Sequence, residues 1–268
     1  MKNILLTLSY DGTNFAGWQR QDKSDKGKPV RTVQGEIENV LEKIHKRKIS
    51  LQGSGRTDSG VHAVRQVANF ESDIDSMSEE KYAVALNSLL PQDIRVLESK
   101  EVPIGFSSRF NATVRTYRYF IVPNHNALAT QMPYVWNISN NPNVEVLNKM
   151  ASCLKGEIDC ATFAASGDQS ISTFRYLEKA HFFYQDLTPC GKALVFEISA
   201  NAFLWKMVRS IVGSLIYFEK NGKDENYFKE VLKSKDRSKV GPTAPPQGLF
   251  LWNVSFDGIR HDGKSIKK

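Results

Sequence analysis

Two stretches of this chain read as strand followed by strand with no helix between, and they limit the fold more than any other feature of the sequence. Ile94 to Val102 leads into a second β-rich run, Asn111 to Val122, and Thr173 to Tyr184 leads into Ala193 to Ala200. A doubly wound parallel sheet needs a crossover helix after each strand, so direct succession points to antiparallel pairing. Helical periodicity occurs elsewhere. Thr32 is placed to cap a helix whose apolar residues Val33, Ile37, Val40, Leu41 and Ile44 share a face. Further helices are expected from Ser76 or Ser78 to Leu89, around Val144 to Leu154, from Ala202 to about Glu219, and from Glu225 to Lys233. The remaining strands are Ile4 to Tyr10, Ile49 to Gln52, Val64 to Phe70 and Leu249 to Phe256. The expected class is α+β.

At 268 residues the chain is long enough for two domains with cores of their own. They are expected over residues 1–108 and 109–258, followed by a polar tail, 259–268. The apolar run after Met1 is too short for a secretory leader. The longest apolar segment, Phe203 to Phe218, is interrupted by Lys206, Arg209, Ser210 and Ser214. A soluble, cytoplasmic protein with no membrane partner is expected. Three cysteines without a C-x-x-C pair, and five scattered histidines, give no disulfide framework and no metal-ligand spacing. Thirty-six Lys and Arg against 29 Asp and Glu leave a net charge of +7. The pI near 9.2 is compatible with a nucleic-acid partner and equally with a plain basic surface.

The segment richest in chemistry is the loop Gly53-Ser54-Gly55-Arg56-Thr57-Asp58-Ser59-Gly60. Its glycines allow tight turns and close approach of a ligand. It lacks the lysine of a phosphate-binding P-loop, and a strand follows it where a dinucleotide fingerprint needs a helix. An arginine two residues from an aspartate suggests a carboxylate held ionised and aimed by a guanidinium, suited to a nucleophile and ill suited to a general acid. A surface turn with an incidental ion pair is the alternative.

Residues 53–63, Gly-Ser-Gly-Arg-Thr-Asp-Ser-Gly-Val-His-Ala, closely resemble the signature of the TruA family of tRNA pseudouridine synthases. Supporting matches run in order along the chain. Tyr10-Asp11-Gly12 with Phe15 and Gly17-Trp18-Gln19-Arg20-Gln21 resemble the family's first motif, and Thr32-Val33-Gln34 its first helix start. Gln66-Val67 and Phe70 follow the signature. Arg109-Phe110-Asn111-Ala112 and Arg115-Thr116-Tyr117-Arg118-Tyr119 resemble a central strand. Phe203-Leu204, Met207-Val208-Arg209 and Ile211-Val212-Gly213 resemble a late helix, and Thr243-Ala244-Pro245 with Gly248-Leu249 close the set. The stretch between Gln21 and Thr32 departs from the pattern, being longer and lysine-rich. Tyr176 stands where threonine is usual.

The resemblance implies a pseudouridine synthase fold: two α/β domains sharing an extended, mainly antiparallel sheet, with helices on one face and a basic cleft on the other. It implies isomerisation of uridine in the anticodon stem-loop of tRNA by a homodimer, with no metal and no organic cofactor. Asp58 becomes the nucleophile, which suits the electron-poor sugar left when a glycosidic bond breaks. Arg56 orients Asp58 and holds the flipped nucleotide, or else is a phosphate clamp alone. Tyr117 stacks on the target uracil; alternation puts it on one strand face with Arg115 and Tyr119. Read without the family, it is a core tyrosine. Arg209 is a second active-site cation, or part of a solvated stripe with Lys206. Leu249 lines the uracil pocket or simply fills a core, and His62 is structural. Lys46-Arg47-Lys48 and the run Lys220 to Lys239 are candidate RNA contacts or ordinary solvated faces. The rival functions are a non-catalytic RNA-binding protein on the same scaffold and a glycosidase-like hydrolase.

Overall fold

The computed structural model describes residues 1–21, 30–187 and 191–261. Most of the lysine-rich stretch, residues 22–29, lies outside them, as do Cys190 and the last seven residues of the tail. The chain divides into two compact units: Met1–Ala112 with Phe250–Asp257, and Thr113–Leu249 with the described start of the tail. The expected boundary at 108/109 falls just short of Ala112, and the last strand, expected in the second domain, returns to the first unit.

The first unit runs β1 (Lys2–Tyr10), α1 (Val33–His45), β2 (Gln52–Gly53), β3 (His62–Ser72), α2 (Lys81–Leu89) and β4 (Ile94–Val102). β1 is central and antiparallel to both β3 and β4, with Ile4 opposite Phe70 on one side and Glu101 on the other. Ile4, Leu6 and Leu8 are wholly buried along one face of β1. Asn3, on the other face, is buried as well: its Nδ2 donates to the Pro103 and Phe106 carbonyls and its Oδ1 accepts from Asn69. α1 begins as expected, with the Thr32 hydroxyl accepting from the Gly35 amide at 3.3 Å. Its apolar stripe buries Val33, Ile37, Val40 and Leu41. Asn87 fastens α2 to β4 by donating to the Val96 carbonyl and accepting from the Val96 amide. The strand expected from Ile49 shrinks to the two residues of β2, and α2 starts at Lys81, after a turn that absorbs Ser76 and Ser78.

The second unit contains β5 (Val114–Val122), β6 (Trp136–Asn137), α3 (Val144–Ala151), β7 (Gly156–Asp159), β8 (Phe174–Asp186), β9 (Lys192–Ala200), α4 (Met207–Lys220) and α5 (Glu225–Ser234). β5, β9, β8 and β7 pair antiparallel in that order, and β6 adds a short parallel pairing to β5. The closing strand β10 (Leu249–Ser255) runs parallel to β3, Phe250 opposite His62. Antiparallel sheets and unalternated helices make this an α+β protein, as the strand succession implies.

β9 is buried from Ala193 to Ala200, and the one charged residue within that stretch, Glu197, is only 6% exposed. Arg118, opposite it on β5, donates to its carboxylate at 2.6 Å, and Lys179 of β8 donates to the other oxygen at 2.7 Å. Burial alone would raise the Glu197 carboxyl, but these two cations outweigh it and hold the group below the ordinary 4.5.

α4 starts five residues later than the expected Ala202. Lys206 takes a left-handed conformation (φ 58°), and Trp205 and Lys206 therefore precede the helix. Ser210, Gly213 and Ser214 are buried on α4, and residues 241–248 lie across these small side chains. A Cβ at Gly213 would overlap the Pro242 carbonyl oxygen and stand 2.8 Å from the Ala244 nitrogen. The Gly241 amide donates to the Ser214 hydroxyl, and Arg237 donates to the Phe163 carbonyl, the Ser210 hydroxyl and Thr243 Oγ1.

Two outcomes follow from this packing. Helix propensity favours alanine over glycine by about 1 kcal/mol, yet Gly213→Ala should destabilise by about 1–3 kcal/mol in urea unfolding because the loop cannot retreat freely. A stabilised variant would contradict the contact. Glu197 titrates lower folded than unfolded, so its contribution is complete above about pH 4.5 and lost as pH falls through the lowered value. Glu197→Gln should be less stable at neutral pH and show a flatter acid limb; an unchanged limb would argue against the pairing.

Candidate active site

Asp58 and Arg56 belong to the first unit; Tyr117, Arg209 and Leu249 belong to the second. The glycine-rich loop leaves β2 and is closed at its base by Gln66 of β3, which is wholly buried. Gln66 accepts from the Ser54 hydroxyl at 2.7 Å and donates to the Gly55 carbonyl at 2.9 Å, while the Ser54 amide donates to the Val67 carbonyl. The loop is thus a fixed turn.

Its tip is held from both sides of Asp58 by the segment after β1. The Trp18 amide donates to the Thr57 carbonyl at 3.1 Å, and the Tyr10 hydroxyl meets Thr57 Oγ1 at 2.8 Å. The Ser59 hydroxyl and the Gly60 amide both donate to the Phe15 carbonyl. The Val61 amide donates to the Asp58 carbonyl, closing the turn. Such close approach needs a bare backbone at Gly17. Its φ is +103°, and a Cβ there would sit 2.6 Å from the Thr57 oxygen.

Phe15 is fixed in turn. The Arg31 guanidinium lies 4.1 Å above its ring and donates twice to Asp93, at 2.7 and 2.9 Å. Thr57 is buried, Asp58 half-buried and Arg56 exposed. Among the described residues no hydrogen bond or ion pair joins Arg56 to Asp58. Tyr10, Phe15 and Trp18 instead fix the backbone on either side of Asp58, and the residue between the two, Thr57, is the one the loop buries.

His62 is 1% exposed and stacks on Phe250 with ring centroids 4.6 Å apart. Its Nδ1 accepts from the Gly12 amide at 3.0 Å. That nitrogen therefore carries no proton with which to pair Asp11, although the Asp11 carboxylate is 3.2 Å away. This is a structural histidine.

In the second unit, alternation along β5 buries Arg115, Tyr117 and Tyr119 together. Tyr117 is 8% exposed, with Phe203 edge-on at 5.1 Å, and Arg115 donates to the Asn201 carbonyl at 2.7 Å. Tyr119 is fully buried and donates to the Pro245 carbonyl at 2.7 Å. Burial drives its hydroxyl well above the ordinary tyrosine range, against the opposing pull of the Arg209 charge.

Arg209 is half-buried in the first turn of α4. Its Nε donates to the Ala244 carbonyl at 2.8 Å, and the Ala244 amide donates back to the Arg209 carbonyl at 3.1 Å. The loop 241–248 thus holds both Tyr119 and Arg209. The solvated helical stripe that would join Arg209 to Lys206 does not form, since Lys206 precedes the helix in a left-handed conformation. Leu249 is 5% exposed at the head of β10. The basic run Lys220 to Lys239 also divides: Arg237 is internal and Lys235 pairs with Asp159 at 2.8 Å. Lys46 and Lys48 are exposed, while Arg47 pairs with Asp73.

The family model described as tRNA pseudouridine synthase matches residues 7–111 and 150–257. Among curated proteins, the chain is 56% identical over 255 residues to tRNA pseudouridine synthase A of Treponema denticola, covering 95% of this chain and 93% of that one. It is 46% identical over 242 residues to the protein of the same name from Treponema pallidum, covering 90% and 84%. The protein of that name from Thermoanaerobacter sp. is 40% identical over 258 residues, 96% of this chain and 100% of its own length.

The docking of the loop predicts a contrast between two of its neighbouring glycines. Gly17→Ala should cost about 2–3 kcal/mol, from positive φ and the clash with Thr57 together. Gly55→Ala, with nothing within 4 Å of the added carbon, should stay within about 0.5 kcal/mol of wild type. Similar urea midpoints for the two variants would contradict the buttress.

Proposed function

The chain belongs to the tRNA pseudouridine synthase family, and from that premise we propose that Asp58 is its nucleophile. The activity is isomerisation: the N1–C1′ bond of a uridine in tRNA breaks, the uracil turns, and a C5–C1′ bond forms. A proton leaves C5 and N1 ends protonated, so composition and oxidation state are unchanged. Nothing is hydrolysed, and the base never leaves as free uracil. A single carboxylate suffices for such a reaction, where a glycosidase needs a second one to protonate its leaving group.

The observation that carries the assignment is the loop itself. Its backbone is tied down on both sides of Asp58 while the Asp58 side chain stays partly open to solvent. Preorganisation of this kind is what an attacking group needs to meet one atom of a bound nucleotide. Arg56, exposed two residues away, engages the RNA backbone beside the extruded uridine. Tyr117 stacks on the uracil, Leu249 supplies an apolar wall, and Arg209 stabilises charge that develops during the rearrangement. The substrate site is the anticodon stem-loop, and extrusion of a stem uridine is offset by contacts to neighbouring phosphates. We propose further that the enzyme works as a homodimer in the cytoplasm.

The test uses unmodified tRNA carrying tritium at carbon 5 of its uridines, which the isomerisation releases to water. Asp58→Asn should abolish release and leave tRNA binding within about threefold of wild type. Release at the wild-type rate would remove Asp58 from its role. Binding without release by the wild-type protein would favour the non-catalytic reading, and free uracil the hydrolase. Arg209→Ala should lower kcat by about a hundredfold; unchanged turnover would leave Arg209 as a packing residue only.

A further inference from the structure

Lys206 is one of five non-glycine residues with positive φ among the described residues. Lys46 and Lys235 close α1 and α5, where a left-handed residue is the ordinary terminator. Asn124 and His125 form one turn. Lys206 stands at the head of α4, where an extended residue with a capping side chain is usual and none caps. A lysine is strained in this conformation.

The bend turns the Lys206 side chain back on its neighbour: Nζ lies 4.7 Å from the centroid of the Trp205 indole. Trp205 is 46% exposed. Its exposure does not come from a loose backbone. The Trp205 amide donates to the Asp168 carboxylate at 2.6 Å, and its carbonyl accepts from the Ala165 amide at 3.0 Å. Asp168 also accepts from the Ser170 amide at 2.8 Å. Burial pushes the Asp168 carboxyl up, but these hydrogen bonds outweigh it and keep the group low.

A large aromatic ring is therefore held nearly half-exposed by a strained, tethered backbone, with an ammonium over it. The same few residues carry Phe203, which contacts Tyr117, and lead within one turn to Arg209. We infer that Trp205 is a stacking platform for a second base of the RNA, a neighbour of the extruded uridine along the strand, and that Lys206 pairs with that nucleotide's phosphate. Without RNA the ammonium occupies the ring by a cation–π contact. On binding, the base takes its place and the ammonium moves to the phosphate, so neither group is left without a partner. Aromatic stacking suits an enzyme that grips RNA next to an unstacked base, since every base offers a π face. The inference rests on the reading of Tyr117 and Arg209 given above.

Trp205→Ala should raise KM for tRNA by about tenfold, with kcat at saturating tRNA retained and the unfolding midpoint unmoved. Trp205→Phe should keep most of the affinity, and Lys206→Gln should reduce the slope of log Kd against log salt by about one. An unchanged KM in a Trp205→Ala enzyme that still releases tritium would overturn the inference and leave the assignment of Asp58 standing. A joint fall of kcat and unfolding midpoint would overturn it too, by making Trp205 a packing residue. Failure of the wild-type protein to release tritium would instead strike the functional reading on which the inference rests.

Discussion

The candidate chemistry in the first unit depends on backbone meeting backbone. The segment Phe15 to Trp18 lies against the turn around Asp58 so closely that no side chain fits at Gly17; three hydrogen bonds, from Trp18, Ser59 and Gly60, fasten the two together, and Tyr10 of β1 adds a fourth to Thr57. A carboxylate on a free loop would sample many orientations and lose the entropic advantage of a positioned reactant. Here the cost of ordering the loop is met by folding. The order propagates outward, since Arg31 clamps Phe15 from above and is held by the double hydrogen bond to Asp93.

The second unit solves a similar problem with different parts. Arg209 lies in a first helical turn, where its side chain has many rotamers. The loop 241–248 restricts it by accepting from its Nε and by donating to its carbonyl. That loop is itself wedged over Gly213 and Ser214 and tied to the buried Tyr119 hydroxyl. In both units a candidate site residue, on a loop in one and in a first helical turn in the other, is fixed by an irregular segment that only small residues let approach. This explains how loops, usually the mobile part of a domain, come to hold the groups that need the most exact placement.

Much of the fold was legible in the residues themselves. Direct strand succession gave the antiparallel pairing of β8 with β9, whereas β4 and β5, also successive, pair antiparallel with β1 and β9 and not with each other; Thr32 marked the start of α1 by its side-chain oxygen. The start of α4 was not legible: Ala202 to Lys206 has helical composition, and only the left-handed backbone of Lys206, which no lysine signals, breaks it. The loop 53–60 stood out by its glycines, but its supports did not. Trp18 lies some forty residues from Thr57, so their contact is set by tertiary packing. Arg56 and Asp58 looked like a pair because they are close in sequence. Burial of Thr57 between them, against Tyr10, decides otherwise. Gln66 left no distinct trace, because Arg65, Asn69 and Glu71 also stand in β3, and only the loop it closes sets it apart.

The central claim is that a rigidly held Asp58 meets the nucleoside whose glycosidic bond is rearranged. The most direct measurement is a structure of the Asp58→Asn protein bound to unmodified tRNA. One anticodon-stem uridine should be out of its stack, with its C1′ about 3–3.5 Å from the side chain of residue 58 and the Phe15–Trp18 buttress unmoved. Bound tRNA with every uridine still stacked, or an extruded uridine lodged away from residue 58, would contradict it.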